Sequence, residues 1–250
     1  MVESWEHEEV VARLGGRSGI PVMVAVHSRK LGPAAGGIRL RRYPTWQDGL
    51  ADALRLSKGM TYKNAVAGLR FGGGKGLVAV PPAVTLTPEL RADVLADLGD
   101  LIESLDGSYI GGPDVGTTTE DMLAMRNRTR HVLCVPESHG GTGSSSGPTA
   151  AGVLAALRAG TRAVFGTPSC AGLRVVVIGM GSVGSLVAQG LSAAGAAVTV
   201  SDVDTSRAHG FPWVDVRDAM STAADVIVPA AVGGVLGPTT DVHAPLVLQG

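Results

Sequence analysis

Cysteine, net charge and long apolar runs are all scarce in this chain. Two cysteines occur in 250 residues, Cys134 and Cys170. Each stands among apolar neighbours and neither belongs to a C-x-x-C pair. That argues against a disulfide framework and for free buried thiols in a reducing cytosol. A formal net charge of −1 leaves no electrostatic footprint for a nucleic-acid or anionic-membrane partner. No apolar run approaches the roughly 20 residues of a membrane span. The opening "MVESWEHEEVVARL" is acidic and amphipathic, without the basic-then-apolar order of a signal peptide. The histidines show no metal-ligand spacing: His7, His131, His139, His209 and His243 fall in surface or loop stretches, and His27 reads as a packed or exposed strand residue. No metal is expected, and the implied protein is soluble and cytoplasmic.

Glycine, by contrast, is abundant. Its 36 copies show no collagen-like period and imply tight turns and close backbone contacts. Hydrophobic residues make up 45% of the chain, enough to bury one large domain or two ordinary ones. Glu3 to Leu14 reads as a short helix ended by Gly15-Gly16. "IPVMVAVHS" (20–28) reads as a strand, with "AGGIRLRRY" after Gly32-Pro33 as its hairpin partner. Thr45 is a plausible N-cap for a long helix through "WQDGLADALRLSKGMTYKNAVAG", on which Leu50, Ala53, Leu54 and Met60 recur at helical spacing while Arg55 and Lys58 form a solvated face. "GLVAV" (76–80) is a buried strand closed by Pro81-Pro82. Thr87 and Pro88 open a helix whose stripe runs through Leu90, Val94, Leu98 and Ile102. "SYIGGPDVGTTTEDMLAM" reads as strand, glycine-rich loop and helix. The Gly/Ser-rich "ESHGGTGSSSGP" (137–148) is a linker, which divides the chain into residues 1–140 and 141–250. Beyond it, apolar strands alternate with helices, the pattern of a parallel sheet covered on both faces.

"VVVIGMGSVGSLVAQGLSAAGAAVTVSDVD" carries G-x-G-x-x-G at Gly179, Gly181 and Gly184. An apolar strand precedes it and a helix beginning near Ser182 and Val183 follows. Asp202 stands 18 positions beyond Gly184, at the end of the next strand. The first glycine permits a tight turn, the second lets a pyrophosphate approach the backbone, and the third packs helix on strand; the helix N-terminus faces the phosphates. Asp202 would accept from the adenosine ribose hydroxyls. A carboxylate there repels a 2′-phosphate, and no arginine follows until Arg207, so NAD is favoured over NADP. A purely structural strand-to-helix turn is the alternative.

"MTYKNAVAGLRFGGGKG" (60–76) holds Lys63 and Lys75 without any acidic residue. A lysine kept dry near a second cation has a lowered pKa and can act as a base near neutral pH, while a charged lysine beside it clamps an anion. A Walker phosphate loop is excluded, since Leu69 and Gly76 stand where glycine and Ser/Thr are required. The plainer alternative makes Lys63 a helix-end surface charge and Asp114 a turn residue.

"GPAAGGIR", "KGMTYKNAVAGL", "GGGKG" and "GPDVGTTTEDM" occur in this order ahead of the dinucleotide fingerprint. The set resembles the glutamate/leucine/phenylalanine/valine dehydrogenase superfamily, most of all its phenylalanine, leucine and valine members, over essentially the whole chain. The resemblance implies an N-terminal α/β substrate and dimerisation domain, then a Rossmann-type doubly wound domain. It implies an NAD-dependent enzyme acting on CH–NH2 donors, which deaminates an L-amino acid to the 2-oxo acid and ammonia, and a homo-oligomer. It places the substrate carboxylate on Lys63, the catalytic base on Lys75 (depressed by burial and by Lys63), and the proton relay on Asp114. Gly36 and Gly37 contribute backbone to the substrate site. Ala35, where glutamate-specific relatives carry lysine, opens an apolar pocket for aromatic or branched side chains. Thr149, Ala230 and Ala231 match segments on the nicotinamide side. Family chains also continue past "APLVLQG" into a Ser-Ala-Asn-Asn segment and returning helices. A non-catalytic NAD-binding homologue or partner subunit, and an imine-reducing biosynthetic enzyme, are the competing readings.

Overall fold

A computed structural model describes residues 5–231, 233 and 235–249. The chain divides between Ser144 and Ser145 into two compact units.

The first unit is built on a five-stranded sheet. Strands β1 (Glu9–Leu14), β2 (Pro21–Ser28), β3 (Ala34–Arg42), β4 (Gly72–Val80) and β5 (Tyr109–Pro113) lie in the order β1-β2-β4-β3-β5. β1 and β4 run antiparallel to β2, while β3 runs parallel to both β4 and β5. Helix α1 (Trp46–Val66) covers one face, packing its Ala53 over Met23, Ala25, Leu77 and Ala79. Helices α2 (Pro88–Glu103) and α3 (Thr119–Arg126) belong to the other core, with Val24, Ile38, Val78, Leu98, Ile102 and Met122. The helix starts follow local chemistry. Thr45 and Asp48 form a reciprocal capping box on α1, Thr118 and Asp121 do so on α3, and Thr87 caps α2 with Pro88 in its first turn.

Residues 9–14 form a strand and not the expected helix; Glu3 and Ser4 lie outside the described residues. Val10 packs into the α1-side core and its neighbour Val11 into the α2-side core. Adjacent residues reach opposite faces only in a strand, and β-branched valine suits one. Strands β2 and β3 are also not a hairpin, because β4 lies between them. A Cβ at Gly72 would stand 1.9 Å from the Ser28 carbonyl oxygen, and one at Gly32 would stand 2.3 Å from that of Arg70. Bare backbone at these positions lets β4 thread through the gap.

The second unit has a wholly parallel sheet of β6 (Arg174–Ile178), β7 (Ala197–Ser201), β8 (Val226–Pro229) and β9 (Leu246–Val247), in the order β7-β6-β8-β9. Helices α4 (Ser146–Phe165) and α5 (Gly184–Ala193) share a core with Val175, Val177, Val200 and Val228. The opposite face holds Val176, Ile178, Ala219 and Ile227. Cys170 is buried and Cys134 half-buried, so the expectation of two buried thiols holds for one; both are free. Among the described residues, no helix is long and apolar enough to cross a membrane.

Candidate active site

Strand alternation and register build the first cluster. Ala35 pairs with Gly73 of β4 and Ile110 of β5, and Gly37 pairs with Gly112. Counting by twos puts Ala35, Gly37, Arg39, Lys75 and Asp114 toward the α1 side of the sheet. Lys75 lies on β4 and Asp114 directly follows β5, the two strands flanking β3, and they meet across Gly37. Lys75 Nζ donates to Asp114 Oδ2 at 2.7 Å, with the lysine side chain 5% exposed. A Cβ on Gly37 would lie 3.2 Å from that Nζ and 2.7 Å from the Asp114 Cβ. The missing side chain is what lets the pair form.

The "acid-free" lysine stretch thus acquires its carboxylate from 39 residues away. Lys63 lies exposed in the last turn of α1, and the cation acting on Lys75 is Arg39 instead. Burial pushes the Lys75 ammonium below its ordinary value, Asp114 opposes the shift, and Arg39 adds to it. Burial alone would raise Asp114, but Lys75 and Arg39 together hold it below the usual carboxylate range.

Arg39, Asp52, Tyr43 and Tyr109 escape the sequence reading. Arg39 donates Nε to Asp114 Oδ2 at 2.8 Å and Nη1 to Asp52 Oδ2 at 2.9 Å. Tyr43 and Arg55 also donate to Asp52, so Arg55 joins this network, while Lys58 pairs with Glu6 on the surface. Arg39 was findable: it sits two residues after Gly37 on a strand, hence on the same face. Asp52 carries no such signal, because its place depends on where α1 docks. Tyr109, fully buried, accepts at its hydroxyl from the Gly76 N–H and donates to the Gly36 carbonyl, both at 2.8 Å. Gly36 itself packs on Gly74, where an added Cβ would meet the carbonyl oxygen at 1.8 Å.

In the second unit, Gly179 has φ +98°, and its Cβ would collide with Ala231 and Ala230 at 2.8–2.9 Å. A Cβ on Gly184 would stand 1.8 Å from the Gly179 carbonyl oxygen. At Gly181, by contrast, an added Cβ meets nothing within 4 Å. Tight turn, open floor and close helix approach are therefore all present, and this cradle fits a dinucleotide pyrophosphate. Helix α5 starts at Gly184, two residues later than expected, with no side chain capping its N-terminus. Val183 turns its side chain to the core, and Ser182 is exposed. Asp202 accepts from the backbone N–H of Met180 at 2.7 Å and of Asp204 at 3.0 Å, which aims its carboxylate at the glycine turn. Arg207 approaches that carboxylate to 3.9 Å. Thr149 is exposed in the first turn of α4.

The family model for the Glu/Leu/Phe/Val dehydrogenase dimerisation domain matches residues 10–131. The L-tryptophan dehydrogenase structure from Nostoc punctiforme aligns with TM-score 0.68 and 30% identity over 98% of this chain and 70% of that one. The chain belongs to the Glu/Leu/Phe/Val dehydrogenase family. Phenylalanine dehydrogenase from Caldalkalibacillus thermarum is 39% identical over 94% of the chain, and leucine dehydrogenase from Bacillus subtilis 35% identical over 96%. The chain spans 65% and 66% of the lengths of these two family members.

Proposed function

We propose that the chain carries the substrate and dinucleotide residues of an NAD-dependent dehydrogenase that deaminates apolar L-amino acids. The observation that carries this reading is the buried Lys75 held on Asp114 across Gly37. The first unit is the substrate domain, and the second is a Rossmann-type dinucleotide domain. A nicotinamide dinucleotide at Gly179–Gly184 would supply the hydride acceptor, with Gly181, Ser182 and Val183 offering backbone to its phosphates, Asp202 its ribose contact, and Thr149, Ala230 and Ala231 the nicotinamide side.

Lys63, exposed on α1, is the anion clamp for the substrate carboxylate. The backbone of Gly36 and Gly37 lines the same place. Once the substrate carbon is oxidised to the imine level, water adds to it, and neutral Lys75 takes the proton that water loses. Asp114, ionised at rest, receives that proton from Lys75 and passes it to the departing nitrogen, and ammonia leaves. Both groups are poised for this, since burial depresses the lysine while two cations keep the aspartate ionised.

Ala35 is half-buried on the same sheet face as Gly37. It offers no charge to a second carboxylate, and burying one unpaired costs several kcal/mol. Aromatic substrates are expected first, then leucine and valine, with glutamate last. Two relatives named for phenylalanine and leucine support this order. A homo-oligomer is proposed through the first unit, whose family model is described as a dimerisation domain.

The test is NADH formation against a panel of L-amino acids, with Lys75→Ala and Lys63→Ala beside the parent. Lys75→Ala should abolish turnover with NAD binding kept, and Lys63→Ala should chiefly raise KM. An active Lys75→Ala protein without added amines, or glutamate matching phenylalanine in kcat/KM, would overturn the assignment.

A further inference from the structure

The cluster on the α1 face holds more charge than the Lys75–Asp114 pair accounts for. If that pair stood alone, deprotonating the lysine would leave a largely buried carboxylate with no cation. Such a pair locks in the charged state, because an uncompensated buried charge is costly. A base must instead be able to give up its proton. Arg39 is 7% exposed and donates to the same Asp114 oxygen that Lys75 uses, at 2.8 Å against 2.7 Å. Its other arm is fixed on Asp52, which Tyr43 and Arg55 brace in turn.

We infer that Arg39 is a positioning residue: it is the permanent counter-ion of Asp114, and it frees Lys75 to lose its proton without stranding a buried carboxylate. The inference rests on the reading of Lys75 as the base. The charge count supports it. With Lys75 protonated, three cations (Lys75, Arg39, Arg55) face two carboxylates, Asp52 and Asp114; with Lys75 neutral, two guanidiniums face two carboxylates. The balanced state is the one with a free amine. Among the described residues, the charged groups that act on Lys75 come from three elements: Asp114 follows β5, Arg39 lies on β3, and Asp52 lies on α1, with Arg55 and Tyr43 donating to it. β2 presents only Ala25 opposite Lys75. The directions agree, with burial and Arg39 pushing the lysine down and Asp114 and Asp52 pulling it up.

The test reads the lysine itself and needs no turnover. The 13Cε resonance of Lys75, assigned by its loss in Lys75→Met, is followed against pH in the full chain. Arg39→Met should raise the Lys75 midpoint by about one pH unit or more, as loss of a neighbouring like charge requires. Asp52→Asn should move it the other way, which a merely structural role would not do. If Arg39→Met does not fold, Asp52→Asn alone decides the sign. A Lys75 midpoint that stays put or falls in folded Arg39→Met, or one that stays put or rises in Asp52→Asn, overturns the proposal. Where turnover is measured, the acidic limb of kcat/KM in Arg39→Met should move to higher pH with the midpoint. A parent protein that oxidises no amino acid yet shows both opposite shifts would remove the proposed function and leave the charge arrangement standing.

Discussion

At Gly37 an added methyl would press on both Asp114 and Lys75. Gly37→Ala is therefore expected to separate the pair and to cost about 1–3 kcal/mol as local overpacking. It should lower kcat far more than it lowers the thermal midpoint. Gly112→Ala, where the new carbon meets nothing within 4 Å, is the control and should be nearly silent in both assays. Equal behaviour of the two variants would show that Gly37 does not hold the pair together. At this scale the sequence yields residue types but not partners. Lys75 stands out by its setting, yet its depression traces first to burial and then to Arg39, a cation other than the expected Lys63. That exchange follows from which side chains share a sheet face, and Lys63 sits on a helix whose docking no local pattern records.

The elements differ in how much of them is local. The capped helices α1, α2 and α3 are legible because Thr45, Thr87 and Thr118 satisfy their own first-turn N–H groups. Strand pairing is a long-range choice: residues 9–14 read as a helix until β2 supplies their partner, and the supposed β2–β3 hairpin fails because β4 lies between its strands. Tyr109 on β5 shows how such a choice is fixed. The β3–β4 pairing lapses between Ala35↔Gly73 and Ile38↔Gly76, and the Tyr109 hydroxyl fills the lapse by bridging Gly76 to Gly36. Its ring occupies the space left by Gly74, whose Cβ would come within 2.6 Å of it. Tyr109→Phe keeps the ring but strands a buried N–H and a carbonyl. A loss of about 1–3 kcal/mol is expected in urea unfolding. A variant as stable as the parent would mean that the hydroxyl bridge contributes nothing.

For the whole molecule, two separately cored units allow the dinucleotide proposal to be tested apart from catalysis. NAD present at a hundredfold excess over its Kd should stabilise the protein by about 2.7 kcal/mol, read as a rise in thermal midpoint. NADP should do much less, because Asp202 already points its carboxylate at the glycine turn. Arg207 stands 3.9 Å from that carboxylate, and its charge could soften the discrimination. Asp202→Ala should narrow the difference between the cofactors. Equal stabilisation by both in the parent would remove the NAD preference.

Strand β4 has a consequence of its own. Four of its first five residues are glycine, a composition that usually signals a mobile loop. Yet all nine residues are buried, between β2 on one edge and β3 on the other. Its amides open to solvent only when the sheet itself comes apart. Transferred to deuterated water, the peptide from Gly72 to Val80 should be among the last in the first unit to take up label. The exposed amide of Gly16, in the turn after β1, should exchange long before it.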